Sequence, residues 1–151
     1  FYKKLLKEHG NGKIVFSPAI QLLNIDQLDE MLKWFINFAD GDFPDLFDVS
    51  WMSQVWYPKI CNYDIAPKEY RINIADKLAS SSKEFEQYDS IHNFYQTQIT
   101  NLKNDHLTTN ERKSLQESFI RYNDTQDKHR GKTTWRQLLP YLEETLTKSL
   151  R

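Results

Sequence analysis

Lys13-Ile14-Val15-Phe16-Ser17-Pro18-Ala19-Ile20-Gln21-Leu22-Leu23 is a nearly continuous apolar run with β-branched residues. Such a run predicts a strand buried on both faces, as strands are inside a parallel sheet. Pro18 argues the other way, because it removes a ladder donor and belongs at an edge or a bulge. Asn24-Ile25-Asp26 ends the strand and caps a helix in which Leu28, Met31, Leu32, Phe35 and Ile36 share one side. Asp40-Gly41-Asp42-Phe43-Pro44-Asp45 breaks that helix. A second strand-like stretch follows from Phe47 to Trp56, with Val49, Trp51 and Val55 on one parity, and Ile60 to Ile65 reads as another short strand. Ahead of the run, residues 1–9 read as a helix tail stopped at Gly10-Asn11-Gly12. Helix, strand, helix, strand is the rhythm of a parallel α/β unit.

After Ala66-Pro67 the patterns are helical to Arg151, with Pro67 fit for a first helical turn. Ser80-Ser81-Ser82 reads as a loop. Phe85, Tyr88, His92, Tyr95, Ile99 and Leu102 form a seam at spacings of three and four, suited to packing on a partner helix. Leu107-Thr108-Thr109-Asn110-Glu111 offers caps for a helix that buries Leu115, Phe119 and Tyr122 and stops at Lys128-His129-Arg130-Gly131. A short turn from Thr134 to Leu139 precedes a helix restarting at Pro140, with Trp135, Leu138, Leu139, Leu142, Leu146 and Leu150 on one side. Four glycines and five prolines are too few for an all-β fold of tight turns. The fold class is therefore α/β passing to mainly α, with an α/β segment over 1–66 and a helical extension over 67–151, packed as one unit.

Charge and cysteine usage narrow the function classes. Twenty Lys and Arg against 21 Asp and Glu leave a net charge of -1 over 151 residues, which disfavours nucleic acid and anionic membrane as partners. No apolar run approaches the roughly 18 residues of a membrane span. One cysteine, Cys61, allows no internal disulfide and no metal site built on several thiolates, and fits a cytoplasmic setting. The chain opens Phe1-Tyr2-Lys3-Lys4 inside what reads as a helix, which points to a piece of something longer.

Motif chemistry is sparse. His9, His92, His106 and His129 lie far apart without metal-ligand spacing, so no metal site is expected. His92 reads as a packed seam residue and His129 as a helix end that complements the dipole. Ser17 lacks the glycines of a nucleophile elbow. Cys61 reads as an inert thiol in a strand. Gly10-Asn11-Gly12 lacks the rest of a phosphate loop. Asp40, Asp42, Asp45 and Asp48 read as a solvated turn, and Lys128, His129, Arg130 and Lys132 as a helix end.

Three segments, in order, resemble the C-terminal half of the radical S-adenosylmethionine proteins that carry a twitch-type domain. The first is Phe16-Ser17-Pro18-Ala19-Ile20-Gln21-Leu22-Leu23-Asn24-Ile25-Asp26-Gln27-Leu28, continued by Met31-Leu32-Lys33-Trp34-Phe35, similar to the family's late barrel strand and the helix after it. Trp56-Tyr57-Pro58 to Ile65-Ala66-Pro67-Lys68 is similar to a short strand feeding an Ala-Pro helix start. Asp127-Lys128-His129-Arg130-Gly131, Trp135-Arg136 and Leu139-Pro140-Tyr141-Leu142 resemble the closing Asp-x-x-Arg-Gly and Leu-Pro-x-Leu pattern.

That resemblance implies the late strands of a partial parallel (β/α) barrel followed by a C-terminal helical extension. Family members hold a [4Fe–4S] cluster on a C-x-x-x-C-x-x-C loop and S-adenosylmethionine on a Gly-Gly-Glu region, and neither motif is in this chain. The implied chain is thus one portion of an enzyme, silent alone, with no cofactor of its own. Cluster and S-adenosylmethionine are expected only in a longer parent, and the partner is the missing N-terminal half or a separate chain. Ligands sit at the carboxyl ends of barrel strands, so Gln21 and Asn24 are the implied cofactor-side residues and Trp56 and Tyr57 the substrate-side ones. Asn24 reads equally as a helix cap. The competing expectation is a free-standing helical interaction domain that meets its partner through the Phe85-to-Leu102 seam.

Overall fold

The computed structural model describes residues 4, 8, 12–39, 47–49, 55, 57–131 and 133–151. Strand β1 (Ile14–Phe16) pairs in parallel with β2 (Phe47–Val49), with Ile14 opposite Phe47, Val15 opposite Asp48 and Phe16 opposite Val49. The connection between them holds a 3-10 turn (Ile25–Gln27) and helix α1 (Leu28–Ala39). Leu28, Leu32, Phe35 and Ala39 are buried, so the stripe read from the sequence is the packed face of α1. Phe16 stacks on Phe35 at 4.7 Å, and Phe35 and Phe38 meet Phe47 edge-on at 5.9 and 5.7 Å.

The first strand is not buried on both faces. Lys13, Val15, Ser17 and Ala19 are exposed, whereas Ile14 and Phe16 are half-buried and Pro18, Ile20 and Leu22 are buried. Helix α1 covers the even-numbered side alone, and Val15 stays 55% exposed. The regular strand also ends at Phe16 rather than Leu23, although the Val55 N–H still donates to Ile20 C=O at 2.8 Å and the Leu22 N–H to Cys61 C=O at 2.8 Å. Of the expected Phe47–Trp56 strand, Phe47–Val49 is strand, while residues 50–54 and 56 lie outside the described residues, as do the Gly10-Asn11 stop and most of the helix tail. The segment read as a strand from Ile60 to Ile65 is instead a pair of 3-10 turns, Lys59–Cys61 and Tyr63–Ile65. The Asn62 carboxamide oxygen accepts the Asp64 N–H at 2.8 Å, which favours a tight turn over an extended ladder.

From Pro67 the chain is helical: α2 (Lys68–Ser82), α3 (Asp89–Lys103), α4 (Thr109–Arg130), α5 (Trp135–Leu138) and α6 (Pro140–Leu150). The described structure is mostly helical with a small two-stranded parallel sheet. Thr108 and Glu111 form a reciprocal capping box at the start of α4, and Thr134 and Gln137 form another at α5. Gly131 ends α4 at φ 102°, a conformation that glycine adopts without a Cβ penalty. Leu139 separates α5 from α6, and Pro140 starts the new helix, as its missing N–H allows.

Two helical expectations change. Ser80-Ser81-Ser82 lies inside α2, where the Ser80 and Ser82 hydroxyls donate to Asp76 and Ala79 carbonyls at 3.0 Å each, and Ser81 and Ser82 are buried. Tyr122 is 46% exposed, while Gln116 and Asn123 are buried on α4 beside Phe119. Their carboxamides are used: Gln116 donates to Ile65 C=O at 2.7 Å and Asn123 to Phe119 C=O at 3.0 Å. On the last helices Trp135, Leu139, Leu142 and Leu146 are buried, but Leu138 is 65% exposed.

The aromatic seam is internal. Phe85, Tyr95, Ile99 and Leu102 all belong to one core with Leu28 and Leu32 of α1, Leu78 of α2 and Leu142 of α6. The Tyr95 hydroxyl donates to Asp29 Oδ1 at 2.9 Å, and Phe85 stacks on Tyr95 at 6.0 Å. The seam therefore packs on helices of its own chain, α2 among them. Tyr95→Asp puts a charge without a countercharge into this core, at a cost on the order of 3–5 kcal/mol. The expected result is loss of the cooperative helical melt in circular dichroism. A folded variant altered only in oligomeric state would contradict the internal placement.

Candidate functional site

The end of the β1 run is organised by one side chain. Asn24 Oδ1 accepts the Gln21 N–H at 2.9 Å, and Asn24 Nδ2 donates to Ala19 C=O at 3.0 Å. The Gln21 carbonyl in turn accepts the N–H groups of Asn24 at 3.1 Å and Ile25 at 3.0 Å. Asn24 occupies the cap position of the Ile25–Gln27 turn, yet its side chain makes no bond into that turn. It reaches backwards and folds the strand end instead. The carboxamide oxygen and nitrogen of Asn24 thus each make one hydrogen bond to the backbone of the run. Gln21 is half-buried next to it.

Of the residues expected on the substrate side, Tyr57 is 83% exposed, while Trp56 lies outside the described residues. Tyr57 precedes a cis peptide bond to Pro58 and follows Val55, whose N–H is bonded to Ile20. The two segments that carry Gln21 and Tyr57 are therefore neighbours, joined by backbone hydrogen bonds. Cys61 is half-buried in a 3-10 turn, and burial pushes its thiol pKa up, away from reactive thiolate character. A single thiol does not fit a cluster that needs several, and no step through such a group is assigned to this chain.

The remaining sequence candidates are dispersed. His92 is half-buried on α3, with Nε2 3.4 Å from Gln96 Nε2, and His129 is exposed in the last turn of α4; His9 lies outside the described residues. Asp48 accepts the Val49 N–H at 2.8 Å and pairs with Lys13 at 3.9 Å, whereas Asp40, Asp42 and Asp45 lie outside the described residues. Among the described residues, no three His, Cys, Asp or Glu side chains gather as metal ligands.

Two polar clusters join segments whose contact the sequence pattern does not show. Arg71, 1% exposed, donates to Ala66 C=O at 3.2 Å, Leu102 C=O at 3.0 Å, Asn104 C=O and Asp105 Oδ1 at 2.9 Å. Arg112 donates to the same Asp105 oxygen and to Asp64 C=O at 3.3 Å. Partial burial pushes the Asp105 carboxyl upward, but bonds and charge from the two guanidinium groups leave it below the usual range. Beside them a cleft of about 220 Å³ is lined by Lys59, Asn62, Asp64, Ile65, His106, Leu107 and Leu115. At the other end, Asp124 accepts two bonds from Arg136 and one from Trp135 Nε1 at 3.0 Å, and Asp127 accepts the Trp135 N–H at 3.1 Å. The Asp-x-x-Arg-Gly and Trp-Arg segments thus meet in a clip that joins α4 to α5. Arg136 holds the Asp124 carboxyl well below the usual carboxylate range.

No family model matches the chain, and neither a curated protein nor a solved structure is significantly similar to it. Among the described residues, no helix is long and apolar enough to cross a membrane.

One carboxyl near the strand end has a pH consequence. Asp26 Oδ1 and the Tyr70 hydroxyl are both buried without a hydrogen-bond partner. Burial raises the Asp26 pKa above its ordinary value, against the opposing pull of its own backbone N–H and of Lys77. A raised folded-state pKa adds stability at low pH and loses it as pH rises through the folded value. Asp26→Asn should therefore be more stable than the native chain at pH 7, with the advantage shrinking as pH falls toward about 4. Urea midpoints of both proteins across that range check it, and a constant difference would refute the assignment.

Proposed function

We propose that this chain is the C-terminal portion of a radical S-adenosylmethionine enzyme. In this reading it contributes barrel wall and substrate-side residues and is catalytically silent without the cluster-binding half. The observation that carries the reading is the one-sided sheet. Parallel sheets are ordinarily covered on both faces, and two strands alone are marginal in water. Here α1 backs one face, while Lys13, Val15, Ser17 and Ala19 are exposed on the other. Such a unit fits a barrel whose further strands would enclose the open face as a lumen.

The order of the three resembling segments supports the same reading, although the second forms two 3-10 turns where the resemblance implies a short strand. Their local structures are a parallel strand and its helix, a turn leading to a helix behind Ala66-Pro67, and a closing clip at Asp124, Asp127, Trp135 and Arg136. In this reading the bound S-adenosylmethionine and its cluster would supply the hydrogen-abstracting chemistry of the whole enzyme. The chain's own residues shape and close the side of the lumen that receives the substrate.

A second reading, a protein-interaction domain, has one observation in its favour. Trp34 and Phe38 on α1 are 62% and 53% exposed and stack on each other at 5.7 Å.

Anaerobic reconstitution separates the two. The natural gene product is expected to be larger than 151 residues and to take up iron at cluster stoichiometry, whereas this chain alone takes up none. A natural product of this length without iron overturns the radical-enzyme reading and favours the interaction domain.

A further inference from the structure

We propose that the cleft between the Tyr63–Ile65 turn and the start of α4 binds a small neutral ring system carrying one N–H or O–H donor, with Asp64 as the acceptor. The cleft is built away from the sheet, so the proposal does not depend on the barrel reading.

Two parts of the chain form it. Asn62, Asp64 and Ile65, all buried, come from the Tyr63–Ile65 turn and the residue before it. Leu107 and Leu115, both half-buried, come from the loop ahead of α4 and from α4 itself. The inner side is tied down from several directions. The Asp64 N–H donates to Asn62 Oδ1 at 2.8 Å, Arg112 Nε donates to Asp64 C=O at 3.3 Å, and Gln116 Nε2 donates to Ile65 C=O at 2.7 Å. A wall fixed in this way is preorganised, so a ligand does not have to order it.

Size sets the class of occupant. The cleft measures about 220 Å³. A cavity of about 150 Å³ lined by apolar side chains holds benzene, so this space suits a ring system of about nine heavy atoms. It falls below the roughly 300 Å³ at which drug-sized sites begin. Ile65, Leu107 and Leu115 offer aliphatic walls to the ring, and a rigid ring gives up no torsional freedom on entering. Past Leu107 and Leu115 the surface runs on to Asn110 and Ser114, which gives the ligand an open approach.

Charge selects the polar end. Among the described residues lining the cleft, Asp64 is the one acid and is 3% exposed, whereas Lys59 and His106 are exposed. A carboxylate has several acceptor sites, so Asp64 can take a further bond from a ligand donor. It does not call for a cation. Arg71 and Arg112 stand against Asp64 and Asp105, and Lys59 lies near Glu111. Positive and negative groups around the cleft therefore balance, and a ligand charge of either sign would be buried without a countercharge. What fits is a neutral ring with a donor, as in an indole or a phenol.

The test follows the methyl NMR signals of Ile65, Leu107 and Leu115 in the natural gene product while indole is added. Indole is expected to shift these signals saturably. 1-Methylindole, which lacks the donor, and the similarly sized benzamidinium and benzoate ions should each bind there at least about fivefold more weakly, the loss of one hydrogen bond to a charged acceptor. Leu107→Trp fills the cleft and should abolish the shifts of Ile65 and Leu115 while the helical melt in circular dichroism is kept. Asp64→Asn should lower indole affinity by a similar factor and leave 1-methylindole unchanged. If Asp64→Asn does not fold, the indole to 1-methylindole ratio in the native protein decides the donor on its own. Indole that leaves these methyl signals in place, or that still shifts them in folded Leu107→Trp, overturns the site. Equal binding of 1-methylindole overturns the role of Asp64, and tighter binding of either ion overturns the neutral class.

Discussion

A guanidinium group buried under the helical layer ties this molecule together. Taking an arginine out of water costs several kcal/mol unless its donors are met and its charge is balanced. Arg71 meets that demand with the end of the Tyr63–Ile65 turn through Ala66, the end of α3 through Leu102 and Asn104, and the following loop through Asp105. Arg112 then carries the same carboxylate to the base of α4 and back to Asp64. The start of α2, the end of α3 and the first turns of α4 are therefore fixed relative to the turns that close the sheet-bearing segment. Burial and the neighbouring Arg112 charge lower the Arg71 pKa, and Asp105 offsets part of that shift. The anchoring carboxylate is on an exposed loop residue, so removing it would leave two cations facing each other.

That anchor explains why the helical half is easy to read in outline and hard to read in detail. Caps and stops are local chemistry, so Thr108, Gly131 and Pro140 announce their roles from sequence alone. The buried faces depend on what arrives from elsewhere. Arg71, Gln116 and Asn123 look like solvated positions in a helical pattern, yet each lies in the core because a carbonyl waits for it there. Ser81 and Ser82 look like loop residues for the same reason: nothing in the sequence says that their helix has a close neighbour. The α2–α3 pairing supplies that neighbour, and the hydroxyls of the flanking serines turn back onto their own helix.

The sheet-bearing half teaches the opposite lesson. Its apolar run was legible as a parallel strand, but density of apolar residues does not say which faces are covered. Ile14, Phe16, Ile20 and Leu22 meet the core, whereas Val15 has the same character and remains in solvent. Asn24 shows a similar limit. A carboxamide after a strand can bind a ligand, cap a helix or fold the strand end back on itself, and residue type cannot rank these. The two bonds to Ala19 and Gln21 show the last of these.

Those two bonds also fix the end of the run from within the chain. A side chain bonded to its own backbone in this way serves the fold, and Asn24 does so at the end of the run. The same rule sets aside the Asp124–Arg136 clip, whose donors and acceptors are spent on each other, despite its polar surface cleft. It sets aside the Arg71–Asp105–Arg112 network as well, since both guanidinium groups are committed to the chain's own acceptors. What remains among the described residues, apart from the cleft beside that network, is the uncovered side of the run, where Lys13, Val15, Ser17 and Ala19 stay exposed while the even-numbered side meets the core.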